Sequence, residues 1–144
     1  MKNLILTWQF WAGCSAVFAA LTAIFAKVGI ENINSDFATF IRTIVILIVL
    51  TAILFLTDKF QPLASISKKS LTFLILSGMA TGASWLCYFR ALKIGSASRV
   101  APIDKLSVVL VALFAVIFLG EHLSLLHWIG ILLIGAGAVV LALG

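Results

Sequence analysis

The chain is 144 residues long, 63% apolar and only 10% charged, with a formal net charge of +5 and a mean hydropathy of +1.24. A soluble domain of this length has no core large enough to hide so much apolar surface, whereas a bilayer solvates it and demands only helices or a closed barrel that satisfy every backbone amide. The apolar segments are too long and uniform for barrel strands, and the charge does not mark a nucleic-acid binder, because Lys2, Lys59, Lys68 and Lys69, four of the ten basic residues, lie just outside the expected spans, where lysines anchor membrane helices.

Residues 3–26 contain no Asp, Glu, Lys or Arg, enough for a helix to cross about 30 Å of hydrocarbon. The spacing predicts a first span over about 8–28, with Trp8 and Trp11 as interfacial anchors. The run Met1-Lys2 to Gly13-Cys14 superficially resembles a lipoprotein signal, but Trp11 and Ala12 fit such a junction poorly and the apolar stretch continues to Ala26, so a spanning helix is expected. A second span is expected over about 36–57, interrupted by Arg42 alone, and a polar connection holding Pro62 follows. A third runs over about 71–93 and closes on Arg90 and Lys93, with Gly95 suited to a left-handed cap and Ser96 or Ser98 to the next N-cap. The fourth, about 99–119, carries Pro102 in its expected first turn and then Asp104-Lys105; Gly120 ends it. The fifth covers about 125–143. The expected fold is therefore an all-α integral membrane protein of five transmembrane helices, a single membrane domain over 1–144. Cys14 and Cys87 fall in apolar stretches and read as small buried residues, not a disulfide or a metal pair.

Five spans place the two ends of the chain on opposite sides of the bilayer. Lys2, Lys59, Lys68 and Lys69 share one side and Lys27, Lys93 and Arg99 the other. The excess faintly favours a cytoplasmic N-terminus, and its near balance is what a chain inserting in both orientations would show.

The stretch 91–103, Ala-Leu-Lys-Ile-Gly-Ser-Ala-Ser-Arg-Val-Ala-Pro-Ile, with Leu106-Ser107, Phe118-Leu119-Gly120-Glu121 and Trp128-Ile129-Gly130-Ile131, resembles the EamA-type domain of the drug/metabolite transporter superfamily, and Arg42 in Phe40-Ile41-Arg42 looks like that domain's second-helix arginine. Most members of that family are two such five-helix domains fused, the odd number forcing the copies to face opposite ways in an inverted repeat. For a single copy the resemblance implies half of an inverted-repeat transporter. It would be a secondary transporter of small organic metabolites or drugs, an exporter by expectation, in the bacterial cytoplasmic (inner) membrane. The working unit would be a homodimer, antiparallel in form, or a heterodimer with a related half-length chain. The alternatives are a non-transporting scaffold or regulatory subunit and a component of a lipid-carrier flippase.

Arg42 and Asp104-Lys105 are the costly residues, since a charge inside a span is unfavourable by several kcal/mol unless it pairs, snorkels or meets water. The functional reading is a polar vestibule in which Arg42, Arg90 or Lys105 receives an anionic group while Asp104 balances or titrates. Against it stand a structural Arg42–Asp104 bridge and, for Arg90 and Lys93, snorkelling to the headgroups. Ser77, Thr81, Ser84 and Tyr88 form a polar stripe at helical spacing with Trp85 beside it, able to line a wet cavity or to hydrogen-bond a neighbouring helix. Gly78 and Gly82 predict a close helix contact, as do Gly130, Gly135 and Gly137.

No phosphate loop, no nucleophile with a base and an orienting partner, and no metal-ligand spacing is present in the sequence; His122 and His127 are a poor pair for a metal. The expectation is a carrier, not an enzyme, with no metal and no cofactor. Small multidrug-resistance proteins are similar in size but carry an acidic residue in their first helix. This first helix has none, so proton coupling would fall to Asp104.

Overall fold

The computed structural model describes residues 7–143; Lys2 and the start of the uncharged stretch lie outside them. Among the described residues the helices are α1 (Trp8–Gly29), α2 (Ser35–Leu56), α3 (Lys68–Ile94), α4 (Ala97–Asp104), α5 (Ser107–Leu119) and α6 (Leu125–Leu143), with a 3-10 turn at Leu63–Ser65. Among the described residues five stretches are long and apolar enough to cross a membrane: α1, α2, α3, the Ala97–Leu119 stretch made of α4 and α5, and α6. The protein is an all-α, multi-pass membrane protein.

The helix ends follow from local chemistry. Asn34 Oδ1 accepts from the amides of Asp36 (2.8 Å) and Phe37 (3.1 Å) and so starts α2. Ser67 Oγ accepts from the Ser70 amide at the start of α3. α2 ends with Asp58 at φ 51°, the Lys59 amide donating back to the Leu54 carbonyl (3.1 Å), a Schellman closure that tolerates Asp in the left-handed region. The left-handed glycine cap sits at Gly120 (φ 68°), not at Gly95. Gly95 instead accepts a hydrogen bond on its carbonyl from Lys27 Nζ at 2.8 Å.

The fourth span is not one continuous helix. Ser96 stands at the N-cap, so α4 begins earlier than expected, and Pro102 lies in its interior instead of its first turn. Pro102 has no amide to return to Ser98, and the ladder tightens immediately afterwards. Leu106 N donates to Ile103 O, Val108 N to Lys105 O and Val109 N to Leu106 O, each at 3.0 Å over three residues instead of four.

The chain forms two compact units, one running to Lys27 and resuming at Ile94, the other Val28–Lys93. In the first, α6 packs against α4 and α5. A methyl group on Gly135 would stand 3.2 Å from Val109 Cγ2, and Ala138, on the same side of α6, is buried. Small residues thus let α6 approach its neighbour where lipid supplies no hydrophobic driving force. Gly130 and Gly137 lie on the roughly opposite face, given about 100° per residue, and a methyl on either would meet nothing within 4 Å. Gly78 and Gly82 are open in the same way, so the close contact expected of that pair is not made within the described chain.

Most large apolar side chains on these helices are exposed, Phe18, Phe55, Leu56, Phe73 and Leu132 among them, as lipid-facing surface should be. Cys87 is exposed and Cys14 half-buried, both as free thiols. The burial expected of Cys87 fails because an apolar neighbourhood in a membrane helix points to lipid as readily as to a protein core.

Candidate functional site: a cationic ladder on α2 and α3

In the Val28–Lys93 unit, α2 and α3 run antiparallel and meet through long side chains at three levels. Outermost is Lys93, in the last turn of α3. Its ammonium donates to the carbonyls of Ile30 (2.5 Å), Glu31 (2.6 Å) and Ile33 (3.1 Å), which lie just beyond the end of α1. The three donors of an ammonium match three converging acceptors. Ile30 and Leu92, the adjacent apolar residues, are fully buried and seat this corner.

One turn further along α3, Arg90 grips Asp36 in a fork, Nε to Oδ1 at 2.9 Å and Nη2 to Oδ2 at 2.6 Å. Lys93 and Arg90 both find polar partners within the protein, because the end of α3 and the start of α2 stand at one level. Asp36 was not singled out as a site residue. The signal was available: Asp36 opens α2 just after its cap, Arg90 closes α3, and in an antiparallel pair those two positions are neighbours.

Deepest is Arg42. It lies seven residues into α2, about 10 Å along the helix, and its guanidinium carbon stands 4.2 Å from the centroid of the Trp85 ring and 5.3 Å from that of Phe89. Trp85 and Phe89 are one helical turn apart on α3, so they present two rings on one face. Phe89 is buried, while Arg42 and Trp85 are half-buried. Thr39 and Thr43, on either side of Arg42, return their hydroxyls to the carbonyls of Ser35 (2.9 Å) and Thr39 (2.8 Å).

The remaining candidates are distributed as follows. Thr81 donates to the Ser77 carbonyl on its own helix at 2.9 Å, which removes that donor from the polar stripe. Tyr88 is half-buried against the edge of Phe89, with ring centroids 6.5 Å apart, and Ser84 is exposed. In the other unit, Asp104 and Lys105 pair with each other at 3.4 Å, immediately at the break between α4 and α5. His127 Nδ1 is 2.6 Å from Ser124 Oγ at the start of α6, and no cluster of metal-ligating side chains occurs among the described residues.

Five helices long and apolar enough to cross a membrane, several of them carrying charged side chains, define a multi-pass membrane protein. Over residues 6–143 the chain matches the EamA-like transporter family, and it belongs to that family, as the resemblance read from residues 91–131 implied. It is 62% identical over 136 residues to an uncharacterized transporter in the cobO 3' region of Sinorhizobium sp., covering 94% of this chain and 96% of that protein. It is 31% identical over 128 residues to the uncharacterized protein MJ1333.1 of Methanocaldococcus jannaschii, covering 89% of this chain and 90% of that protein. Neither relative is much longer than this chain. No solved structure matches it.

Proposed function

We propose that the protein is a secondary carrier of small organic metabolites or drugs, exporting them across the bacterial cytoplasmic membrane as a dimer of five-span halves in antiparallel arrangement. The observation that carries this is Arg42, a guanidinium about 10 Å inside a span, held against Trp85 and Phe89 and only half-buried. A charge kept at that depth is expensive, and exposure of its polar edge is the property of a residue that meets a solute or water. The solute site then comprises Arg42 and Trp85 with Ser84, Tyr88 and Thr81 along the same helix, and Asp104 with Lys105, in the other unit, are proposed separately as the coupling pair. Arg90 serves the solute site from outside, by holding the mouth of α2 through Asp36. The transport reading is tested by comparing metabolite pools inside and outside cells that lack or overproduce the protein. One or more pools should shift reciprocally between the two strains. Unchanged pools across several growth conditions would count against a metabolite carrier and favour a scaffold or regulatory subunit.

A single five-span copy supplies one half of an inverted repeat, and relatives of the same length support a working unit of two chains. The open face of α6 bearing Gly130 and Gly137 is suited to receive the second copy, since small residues permit close helix approach. With Cys14 and Cys87 replaced by Ser, cysteines introduced by Leu125→Cys and Leu143→Cys, at opposite ends of α6, should crosslink to each other between chains. Crosslinks only between like ends would reject the antiparallel form.

A further inference from the structure

We infer that Arg42 is the anion-receiving residue of this protein, and that the solute it serves is a small organic anion bearing a carboxylate or a phosphate. This rests on the carrier reading above and narrows it.

The two other cations at this end of the α2–α3 pair are already engaged. Arg90 is neutralised by Asp36 through two short hydrogen bonds. Lys93 is spent on three backbone carbonyls. Arg42 differs in kind. Its guanidinium lies against the two rings and interacts electrostatically with the Tyr88 phenol, and no carboxylate or carbonyl among the described residues accepts a hydrogen bond from it. An aromatic face attracts the charge but takes none of the guanidinium's N–H groups, which lie in its plane and point outward from the fork. The rings therefore fix the position of the fork while leaving its donors unfilled. The half-buried state of Arg42 leaves that edge within reach.

A fixed, uncompensated fork in a low-dielectric span has one good complement. Two oxygens of a carboxylate or phosphate accept in parallel from it and restore neutrality at the same time. An amide or alcohol supplies acceptors without the charge, and a cation is repelled. Phe89 and Trp85 continue the site as an apolar wall, so an anion with a hydrocarbon body fits better than inorganic phosphate. A lipid headgroup shares the phosphate chemistry, and its contribution is separated below by membrane composition.

The test uses the full chain in nanodiscs of zwitterionic lipid, with Trp8→Phe, Trp11→Phe and Trp128→Phe so that Trp85 alone emits. Hexanoate, hexyl phosphate, hexanamide and hexylammonium are the probes. Hexanoate and hexyl phosphate should shift Trp85 emission saturably, at concentrations at least roughly ten-fold below hexanamide, the factor expected of a charged hydrogen-bonded pair. Hexylammonium should have no effect. Arg42→Gln should remove the preference for the anions. Arg42→Lys should retain charge selectivity with weaker affinity, which separates loss of the fork from loss of the fold. The unmutated protein, followed by thermal unfolding, should be stabilised by hexanoate and not by hexanamide.

Equal binding of acid and amide, or an unchanged preference in Arg42→Gln, would overturn the assignment. So would loss of hexanoate binding when phosphatidylglycerol replaces half the lipid, since Arg42 would then serve a headgroup. Anion binding without any metabolite flux would leave Arg42 as an anion site and remove the carrier reading. Flux with no anion preference would do the reverse.

Discussion

Asp104→Asn should abolish uphill accumulation of solute in reconstituted vesicles while leaving downhill exchange partly intact. Asp104 closes α4 and Lys105 caps it, and beyond them the hydrogen bonds shorten to three-residue spacing before α5 resumes. A helix broken inside a span is tolerated only where protein or water meets the freed backbone groups, and in carriers such breaks bring polar groups to the transport path. The carboxylate is 37% exposed beside Lys105, so it is reachable, and an amide of the same shape cannot carry a proton. Replacing Asp by Asn therefore removes titration while leaving size and local hydrogen bonding almost unchanged. Gradient-driven transport at the parental rate in Asp104→Asn would exclude Asp104 as the coupling residue.

Lys93→Met should lower the stability of the folded protein by about 2 kcal/mol, the scale of hydrogen bonds to a charged group, read as a shift in denaturant midpoint in mixed micelles. The aliphatic stem survives the change, so packing is nearly conserved. What is lost is the ammonium that closes the carbonyls of Ile30, Glu31 and Ile33. Water can replace part of this at the exposed Glu31 and Ile33, but less easily at Ile30, which is 1% exposed. Lys93→Arg should fall between, because a planar fork cannot satisfy three acceptors that converge on a point. An unchanged midpoint in Lys93→Met would mean that solvent satisfies the corner equally well. Transport by Lys93→Met under conditions where it stays folded should be near parental, since its ammonium faces backbone and not Arg42's ring platform.

The sequence by itself determined the fold class and the family. Five apolar stretches, each long enough for hydrocarbon, leave helices as the only economical structure, and α1, α2 and α6 begin near Trp8, after Asn34 and after the polar residues that follow Gly120. The costly residues were legible for the same reason: Arg42 and Asp104 stand out because lipid makes every charge conspicuous. What only the tertiary structure decided is which partner each charge has. Arg42 and Arg90 are alike as residues, yet one grips Asp36 and the other lies on Trp85, because antiparallel register sets Asp36 level with Arg90 and sets Arg42 a turn and a half deeper, where α3 offers rings. The polar stripe of α3 was visible as a period, but whether a hydroxyl faces a cavity or turns back to its own helix, as Thr81 does toward Ser77, depends on a rotamer that no spacing encodes. Likewise the glycines of α6 were equivalent as letters. Contact with Val109 makes Gly135 a packing position and leaves Gly130 and Gly137 open, because a helix has opposite faces and only the neighbouring helix determines which one is covered.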